Sequence, residues 1–390
     1  MVSNQIEAPF RKLMGPGPLD IHPRVYQALT TPIIGYLDPA YLKILDQVGD
    51  QLRKVFQTRN RATNAAPGTG TSGMEACVAN LIEPQDTVLV CVHGYFGDRL
   101  RQMVERQGAQ ITLITEEWGK PTDPQKVETA MKEKAFKVIT LVHAETSTGV
   151  LQPMDDIVKL ADQYGVMIIL DTVTSLGGVE VKMDEWGLDA AYSCSQKCIG
   201  CPPGLSPVSF SDRAVEVVKN RKHPVSSWYL DLTLLEKYWG SERVYHHTSS
   251  STLNYALLEA LRLIDEEGLQ NRFERHLENH RALVAGIEAL GLEMHVNPEH
   301  RLPTLNTIKI PGGIDDMKLR RFLLETFNLE IGGGLGDLKG KVWRVGLMGH
   351  SCSAENVLFF LSAISRALAR QGHKTDLAAG ADAAMAELNA

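Results

Sequence analysis

The sequence predicts an α/β protein with a large domain built on a mostly parallel sheet and a smaller α+β domain near the carboxyl end. Between about residues 60 and 210, short apolar runs alternate with amphipathic helical stretches, which is typical of a parallel sheet covered on both faces. After residue 254 the pattern changes to long helix and then to short strands and helices. A length of 390 residues also exceeds what one hydrophobic core usually supports.

Boundaries for four parts follow from this pattern. We expect an amino-terminal arm (1–22), a large domain (23–265), a small domain (266–374) and a tail (375–390). The tail is rich in alanine, and the sequence leaves open whether it is loose or docks as a helix.

In the large domain, apolar runs predict four buried strands and two weaker ones, with helices between the earlier strands. The predicted strands cover residues 87–92, 110–114, 137–142, 166–170, 189–194 and 206–210, and the helices cover 99–107, 123–134 and 155–164.

In the small domain, the pattern predicts a long helix that breaks near Glu267-Gly268, followed by alternating strands and helices. The helices cover 254–291, 315–327 and 354–369, and the strands cover 305–310, 329–331 and 342–346.

Composition excludes several classes of protein. A chain with 44% hydrophobic and 22% charged residues is neither disordered nor of low complexity. Its 40 lysines and arginines against 47 aspartates and glutamates give a formal charge of −7, so we expect neither nucleic acid nor a membrane as partner. No secretion signal or membrane-length apolar run is visible, and six cysteines are too few for a disulfide scaffold. A cytoplasmic protein is therefore expected.

The first motif that could carry chemistry is the glycine-rich stretch from Gly68 to Gly73, which opens a helical segment. Free backbone N–H groups at the start of a helix suit a phosphate. A dinucleotide site needs a clear strand before the turn and an acid after the next strand, but 64–67 reads Asn-Ala-Ala-Pro and the next strand ends at His93. A P-loop would need a lysine after the last glycine. We therefore favour another kind of phosphate loop over a turn without a ligand.

Two further residues follow predicted strands. Asp171 ends the run Val-Met-Ile-Ile-Leu, where a carboxylate needs a cation or hydrogen-bond donors, although a helix-capping role is equally common. Lys197 lies in a structured turn; a buried neutral lysine can form a Schiff base, whereas a lone lysine is usually a surface residue. A phosphate loop, an acid for a ring nitrogen and a Schiff-base lysine together indicate pyridoxal 5'-phosphate.

A rival motif overlaps this lysine. Cys194, Cys198 and Cys201 have the spacing of the triplet that holds an iron–sulfur cluster in radical S-adenosylmethionine enzymes. The triplet lies halfway along the chain, and no fourth cysteine is close enough in sequence to complete a zinc site. Three small buried thiols explain the pattern as well. We expect no metal, and keep an iron–sulfur protein as the alternative of another class.

Arg344 lies in the apolar strand Val-Trp-Arg-Val-Gly. Its guanidinium could bind a substrate carboxylate with two parallel hydrogen bonds, or it could face solvent at an edge strand.

Six motifs, taken in order, resemble the class V aminotransferases of fold type I, in particular the alanine–glyoxylate, serine–glyoxylate and serine–pyruvate group. The resemblance covers about residues 12–370. It rests on Met14-Gly15-Pro16-Gly17-Pro18, Gly149-Val150-Leu151-Gln152-Pro153, Ser195-Gln196-Lys197 with Pro202-Pro203-Gly204, Tyr245-His246-His247-Thr248, Arg301-Leu302-Pro303-Thr304 and Gly333-Gly334-Leu335-Gly336.

This resemblance implies a homodimer with active sites shared between subunits, and a role for each matching residue. Lys197 would be the catalytic residue that carries the cofactor as a Schiff base, and Asp171 would pair with the pyridine nitrogen. The implied phosphate contacts are Thr69, Gly70, Thr71 and Gln196, with Tyr245 and Thr248 reaching the site from the partner chain. Phe96 would stack on the ring where the group often has tryptophan, Thr146 would lie near the ring hydroxyl and substrate, Arg344 would bind the substrate carboxylate, and Leu19 and Asp20 would approach the substrate with their backbone.

The implied reaction is transamination of alanine or serine with glyoxylate, giving glycine together with pyruvate or hydroxypyruvate, as in glycine biosynthesis and photorespiration. Hydroxykynurenine transaminases share the framework and remain an alternative. A cysteine desulfurase of the same fold is a second one, but Gln196 replaces the histidine typical before the lysine, and Cys352 lies after Arg344 and not ahead of it.

Overall fold

The structure is a computed structural model and describes residues 8–389. Its strands, in chain order, are β1 (Lys12–Leu13), β2 (Ala62–Pro67), β3 (Thr87–Val92), β4 (Gln110–Thr115), β5 (Val138–Val142), β6 (Ala144–Glu145), β7 (Val150–Leu151), β8 (Met167–Asp171), β9 (Ala190–Tyr192), β10 (Leu205–Phe210), β11 (Leu305–Lys309), β12 (Leu329–Glu330), β13 (Gly332–Gly333) and β14 (Val342–Gly346).

The α-helices are α1 (Pro23–Ala28), α2 (Pro39–Phe56), α3 (Gly70–Leu81), α4 (Tyr95–Arg106), α5 (Pro124–Glu133), α6 (Asp155–Tyr164), α7 (Asp212–Lys219), α8 (Leu232–Trp239), α9 (Ser251–Glu267), α10 (Leu269–Ala289), α11 (Asp316–Phe327), α12 (Ala354–Arg370) and α13 (Leu377–Leu388). Within residues 8–389, no helix combines the length and apolar character needed to cross a membrane.

A seven-stranded sheet in the order β2-β10-β9-β8-β5-β3-β4 forms the centre of the large domain. The strands from β9 to β4 pair in parallel, and β10 runs antiparallel to both of its neighbours. The predicted α/β fold with a mostly parallel sheet is therefore confirmed. Each strand predicted from the apolar runs in this part of the chain has its counterpart in the sheet.

Side chains on successive strand residues enter two different cores, as the two-residue period of a strand requires. Leu89 and Cys91 of β3 pack into the core on one face, together with α2 and α9, whereas Val88 and Val90 pack into the core on the other face with α3 and α4. Because both faces are buried, the strands read as continuous apolar runs.

One strand contradicts the sequence analysis. Residues Ala62–Pro67 form β2, so a strand does precede the glycine-rich turn. It lies at the sheet edge and pairs along its whole length with β10. Its Asn-Ala-Ala-Pro sequence carries no strand preference, and the pairing partner supplies the stability that the local sequence lacks. The dinucleotide interpretation still fails, because His93 and not an acid follows the next strand.

The small domain has its own sheet, β11-β14-β13, and its own apolar core. The arm adds to this domain: β1 pairs in parallel with β12, and Met14 is fully buried in the small-domain core. The predicted strand at 329–331 is confirmed as β12, which pairs with the arm. Strand β13 was not predicted; it lies in the following glycine-rich stretch and pairs with β14.

The carboxyl-terminal segment, whose order the sequence left open, folds into α13 and packs on α10 and α12. Gly286 and Gly380 allow the close approach, because a Cβ on Gly286 would lie 3.1 Å from the carbonyl oxygen of Gly380 and 2.4 Å from Leu361. Ala384 is buried in the small-domain core. The junction between α9 and α10 is at Gly268, while the boundary at residue 265 stays a prediction.

Candidate active site

The predicted site residues follow the carboxyl ends of the central strands. Asp171 ends β8, Lys197 lies in the turn after β9, and Phe96 is in the first turn of the helix that follows β3. Gly70 starts the helix after β2, and Thr146 directly follows β6. Ligands of open α/β sheets bind at this edge, and the fold therefore brings these groups into one region.

Lys197 is a buried amine without a partner. Its side chain is only 9% exposed, and its Nζ makes no hydrogen bond or ion pair with any residue between 8 and 389. Burial lowers the pKa of Lys197, and the nearby Arg344 lowers it further, whereas Asp171 acts in the opposite direction. An amine shifted towards its neutral form is a nucleophile for a carbonyl carbon.

The arm lies directly on this lysine. A Cβ added to Gly17 would be 2.7 Å from Cδ and 2.8 Å from Nζ of Lys197, and Gly17 has φ +100°. The positive φ favours glycine here, and any side chain would have to displace the end of Lys197. Sequence reasoning placed Gly17 in a motif but assigned it no role.

Asp171 is a buried carboxylate with a hydrogen bond to each oxygen. The phenol of Tyr192 donates to Oδ2 at 2.7 Å, and the N–H of Val173 donates to Oδ1 at 2.8 Å. Burial raises the pKa of Asp171 to about 7, and these two hydrogen bonds oppose the rise. A cation beside the carboxylate would stabilise its charged form, which suits a protonated ring nitrogen. The sequence analysis did not identify Tyr192.

The glycine-rich turn places a helix amino terminus near these groups. Thr69 is the N-cap of α3, and its side chain makes no capping hydrogen bond. A Cβ on Gly70 would lie 2.9 Å from Cβ of Cys194 and 3.2 Å from Val173, so the helix start packs tightly against the segments carrying Lys197 and Asp171. Gln196 directly precedes Lys197, and its Oε1 is buried without a hydrogen-bond partner among the described residues.

Phe96 is fixed by a carboxylate from a distant part of the chain. Helix α4 has no side-chain cap from its own N-cap residue, Gly94. Instead, Oε2 of the fully buried Glu145 accepts hydrogen bonds from the N–H groups of Phe96 and Gly97 at 3.1 and 3.2 Å. Glu145 is therefore a remote cap that sets the position of the aromatic ring.

Arg99 connects Phe96 to the glycine-rich turn. Its guanidinium lies 4.9 Å from the centre of the Phe96 ring, and its Nη1 donates to Oγ1 of Thr71 at 3.2 Å. Arg99 thus adds a positive charge beside the predicted phosphate loop, which the sequence analysis did not anticipate.

Arg344 is largely buried and faces the loop that contains Thr146. Its Nε donates to the carbonyl of Gly333 at 2.7 Å and its Nη1 to the carbonyl of Thr146 at 3.3 Å. Within residues 8–389, Nη2 has no hydrogen-bond partner, and burial lowers the pKa of Arg344 to about 10. A half-satisfied guanidinium beside a nucleophilic amine is suited to a carboxylate ligand. The exposed-edge alternative is wrong, because Arg344 is 7% exposed on the middle strand of its sheet.

Comparisons with known proteins agree with this geometry. The family model described as aminotransferase class-V matches residues 38–337. The chain is 40% identical over 390 residues to the (S)-ureidoglycine–glyoxylate transaminase of Bacillus subtilis, covering 95% of this chain and 93% of the relative. It is also 40% identical over 384 residues to the alanine–glyoxylate aminotransferase of Drosophila melanogaster, covering 97% and 98% of the two chains.

The chain belongs to the class-V aminotransferase family.

Solved structures of this family superpose closely on the chain. The crystal structure of the ureidoglycine–glyoxylate aminotransferase from Bacillus subtilis has a TM-score of 0.97 and covers 99% of this chain and 100% of that one. An alanine–glyoxylate aminotransferase from Nostoc sp. has a TM-score of 0.93 at 49% identity, covering 94% and 98%. The class-V aminotransferase family predicted from the motifs is thus confirmed.

Two predicted site residues are exposed in a single class-V chain. Tyr245 is 53% exposed and Thr248 is exposed, and both stand in a surface segment before α9. The rings of Tyr245 and Tyr36 pack at 5.1 Å. Their role at a cofactor stays a prediction that requires a second chain.

The backbone around Leu19 and Asp20 is already engaged. Leu19 is buried against Cys198 and Met348, and the N–H of Asp20 donates to Oγ of Ser351 at 3.2 Å. The predicted approach of these residues to the substrate stays untested, and Gly17 is the arm residue that contacts Lys197.

The cysteines are buried thiols. Burial raises the pKa of Cys194 and of Cys198 to about 12 and raises the pKa of Cys201 above its usual range. Among the described residues, no group of three or more His, Cys, Asp or Glu side chains could hold a metal ion. Cys352 is also buried, and burial raises its pKa to about 12, which is unlike the reactive, exposed thiol of a desulfurase.

Proposed function

We propose that this chain binds pyridoxal 5'-phosphate through Lys197 and transfers the amino group of alanine or serine to glyoxylate, with glycine as a product. The observation that carries the proposal is the buried Lys197, whose amine has no hydrogen-bond partner among residues 8–389 and lies near Asp171 and Arg344. The named relatives at about 40% identity, which are glyoxylate aminotransferases, support the acceptor.

The residues present fit this cofactor. The free N–H groups at Gly70 and Thr71 and the charge of Arg99 would hold the phosphate. The amide of Gln196 would join them by donating from its NH₂ group. Asp171 would face the ring nitrogen, and Phe96 would cover the ring. Thr146 would lie near the ring hydroxyl, although its Oγ1 is at present 2.7 Å from Oγ1 of Thr174.

When bound, the cofactor supplies a protonated ring that accepts electron density from the α-carbon of the amino acid. The chain supplies the rest. Arg344 orients the carboxylate of the amino acid, so that the α-hydrogen lies within reach of Lys197. Lys197 would be freed from the cofactor when the amino group of the substrate takes its place. Its neutral amine would then take up the α-proton and donate it back within the same site. Asp171 would be ionised beside the ring nitrogen and would hold the proton there.

Substitution of Lys197 tests the proposal. Lys197→Ala should abolish steady-state transamination with every donor while leaving the circular dichroism spectrum unchanged. Lys54→Met is the control, because Lys54 forms an exposed ion pair with Asp265 outside the site. In wild type, borohydride reduction with pyridoxal 5'-phosphate followed by peptide mapping should label Lys197. Steady-state turnover by Lys197→Ala, or a label on another lysine, would overturn the proposal.

Transamination assays with different substrates identify the amino donor. The donors are alanine, serine, ureidoglycine, hydroxykynurenine and cysteine, and each is tested with glyoxylate and with pyruvate as acceptor. We expect the highest kcat/KM for alanine or serine with glyoxylate. Preference for ureidoglycine would match the Bacillus relative instead, and release of sulfide from cysteine would indicate a desulfurase.

We also propose that the chain works as a homodimer, with Tyr245 and Thr248 reaching the partner's site. Large exposed apolar side chains support this: Ile33, Trp228, Val244 and Tyr245 are 74%, 64%, 47% and 53% exposed. Trp228 stacks at 4.6 Å on His246, the neighbour of Tyr245, and apolar side chains grouped on a surface mark an interaction site. The cytoplasmic location stays a proposal from the sequence.

A further inference from the structure

Two arginines and one glutamate form a connected ionic group at the start of α10. Oε2 of Glu267 accepts from Nη1 of Arg272 at 2.6 Å, and Oε1 accepts from Nε of Arg275 at 2.6 Å. The Arg272 side chain is 6% exposed, and those of Arg275 and Glu267 are 30% and 25% exposed. We call these three residues the arginine clamp.

One end of the clamp holds the backbone of the large domain. Nη2 of Arg272 donates to the carbonyl of Cys198 at 2.6 Å, and Nε donates to the carbonyl of Gly177 at 2.8 Å. Cys198 directly follows Lys197. Each of the three nitrogens of this buried guanidinium therefore donates a hydrogen bond, one of them to the turn after β9 that carries Lys197, which we call the lysine turn. Arg272 thus holds the lysine turn in place through its backbone.

The other end holds the small domain. Nη1 of Arg275 donates to the carbonyls of Gly349 and Cys352 at 3.1 and 2.6 Å. This turn follows β14, the strand that carries Arg344. It also packs on the lysine turn, because a Cβ on Gly349 would lie 3.2 Å from the carbonyl oxygen of Cys198.

We propose that the arginine clamp positions the turn carrying Lys197 relative to the strand carrying Arg344. The inference rests on the proposed function, in which an amino acid must meet the amine with its α-hydrogen and the guanidinium with its carboxylate. A displacement of about 1 Å between such groups costs a large share of the rate. The clamp residues touch neither substrate nor cofactor, so they are positioning residues and not catalytic ones.

Amide hydrogen exchange tests how firmly the lysine turn is held, without depending on cofactor binding or turnover. The N–H of Gly200 donates to the carbonyl of Lys197 and the N–H of Cys201 to that of Ser195, both at 2.9 Å. In the full-length chain without added cofactor, Arg272→Met should speed exchange of these two amides by about ten-fold or more, since the turn loses its hydrogen bond to a charged group. Amides of β3 should exchange as in wild type. Arg272→Lys, which keeps the charge, should restore part of the protection, and Lys54→Met should change nothing.

Binding and turnover separate positioning from general damage. Affinity for pyridoxamine 5'-phosphate, which needs no bond to Lys197, should stay within about three-fold of wild type in Arg272→Met, while covalent capture of pyridoxal 5'-phosphate and kcat each fall about ten-fold. Should Arg272→Met fail to fold, Arg272→Lys carries the same measurements with smaller changes.

Two results would overturn the inference. One is unchanged protection of Gly200 and Cys201. The other is faster exchange across the whole chain, with pyridoxamine 5'-phosphate affinity and kcat falling in proportion, since that would show a purely structural role. Failure of the proposed function is distinguishable, because it would appear as turnover by Lys197→Ala and would leave the exchange result intact.

Discussion

The phenol of Tyr192 and the carboxylate of Asp171 are joined by a hydrogen bond of 2.7 Å inside a fully buried part of the sheet edge. The bond stabilises the ionised carboxylate and so lowers the pKa of Asp171 against the effect of burial. Tyr192→Phe should therefore raise that pKa further and weaken binding of pyridoxal 5'-phosphate by about ten-fold, the value of one hydrogen bond to a charged group.

Equilibrium dialysis or cofactor fluorescence would measure this affinity. Tyr41→Phe is a matched control, because it removes a buried phenol that bonds Ser249 at 2.6 Å. It should lower stability without changing the affinity. Equal cofactor affinity in wild type and Tyr192→Phe would show that Asp171 does not depend on this phenol.

A second prediction concerns stability and pH in the chain without cofactor. Burial raises the pKa of Asp171 from 3.8 to about 7 in the folded state. Between these pH values the folded chain retains a proton that the unfolded chain has released, so stability falls as pH rises through the window, by about 1.4 kcal/mol per pH unit from this group.

Asp171→Asn lacks this titration. The difference in unfolding free energy between variant and wild type should therefore shift in favour of the variant from pH 5 to pH 7 and level off above about pH 8. Urea denaturation of both proteins at several pH values measures it. Parallel pH curves would mean that Asp171 is already ionised in the folded chain.

Gly17 gives a third prediction. Gly17→Ala should slow covalent capture of pyridoxal 5'-phosphate, because the new methyl group would overlap the end of Lys197. Gly313→Ala is a matched control: Gly313 also has positive φ, +82°, but its added Cβ would meet no atom within 4 Å. In both variants the strain of alanine at positive φ should lower the unfolding free energy by about 1 kcal/mol. Only Gly17→Ala should also lose lysine reactivity in a borohydride trapping assay. Equal trapping by the two variants would contradict the contact.

The fourth prediction concerns Glu145, in which both carboxylate oxygens accept backbone hydrogen bonds. Glu145→Gln replaces one of these oxygens with an NH₂ group. That group must then face other N–H donors, either those of Phe96 and Gly97 or that of Ser147. Unfolding free energy should fall by about 1–3 kcal/mol, and cofactor affinity should fall because α4 and the Phe96 ring lose their fixed position.

Glu83→Gln is the control for this change. Oε1 of Glu83 also accepts two backbone N–H groups, from Lys222 and His223, on the surface away from the site. It should cost stability alone. If cofactor affinity were unchanged in Glu145→Gln, the carboxylate would only stabilise the helix.

The sequence predicted the features that depend on local patterns and missed those that depend on residues far apart in the chain. Strands such as β3 and β8 were predicted because their apolar runs are local and continuous. Asp171 could be singled out because it lies at the end of such a strand, and Lys197 because it lies in a structured turn after the weaker predicted strand that became β9. Strand β2 was missed because pairing with β10, about 140 residues away in sequence, and not its own composition, makes it a strand.

The site residues that the sequence did not reveal act through distant partners. Glu145 caps a helix that starts 50 residues earlier, and Arg272 bonds carbonyls 74 and 95 residues away. No spacing rule along the chain records such contacts. The docked α13 was left open for the same reason: its alanine-rich pattern permits a helix, but the glycine contact with α10 decides that it packs.

The last prediction concerns the second chain. If Tyr245 and Thr248 complete the partner's site, a Lys197→Ala subunit and a Tyr245→Ala/Thr248→Val subunit can together build one intact site, using the lysine of one chain and the surface segment of the other. Each variant alone should be nearly inactive. After co-refolding in equal amounts, half of the dimers are mixed and each holds one intact site of two, so about a quarter of wild-type activity should return.

A mixture of Lys197→Ala with Asp171→Asn is the control, since both residues belong to the same chain's part of the site. It should regain nothing, because neither site of a mixed dimer is whole. Recovery in both mixtures would point to residual activity of the variants, and recovery in neither would place Tyr245 and Thr248 in their own chain's site or outside it. Tyr245 and Thr248 are exposed within one chain, and only recovery in the first mixture alone fits a shared active site.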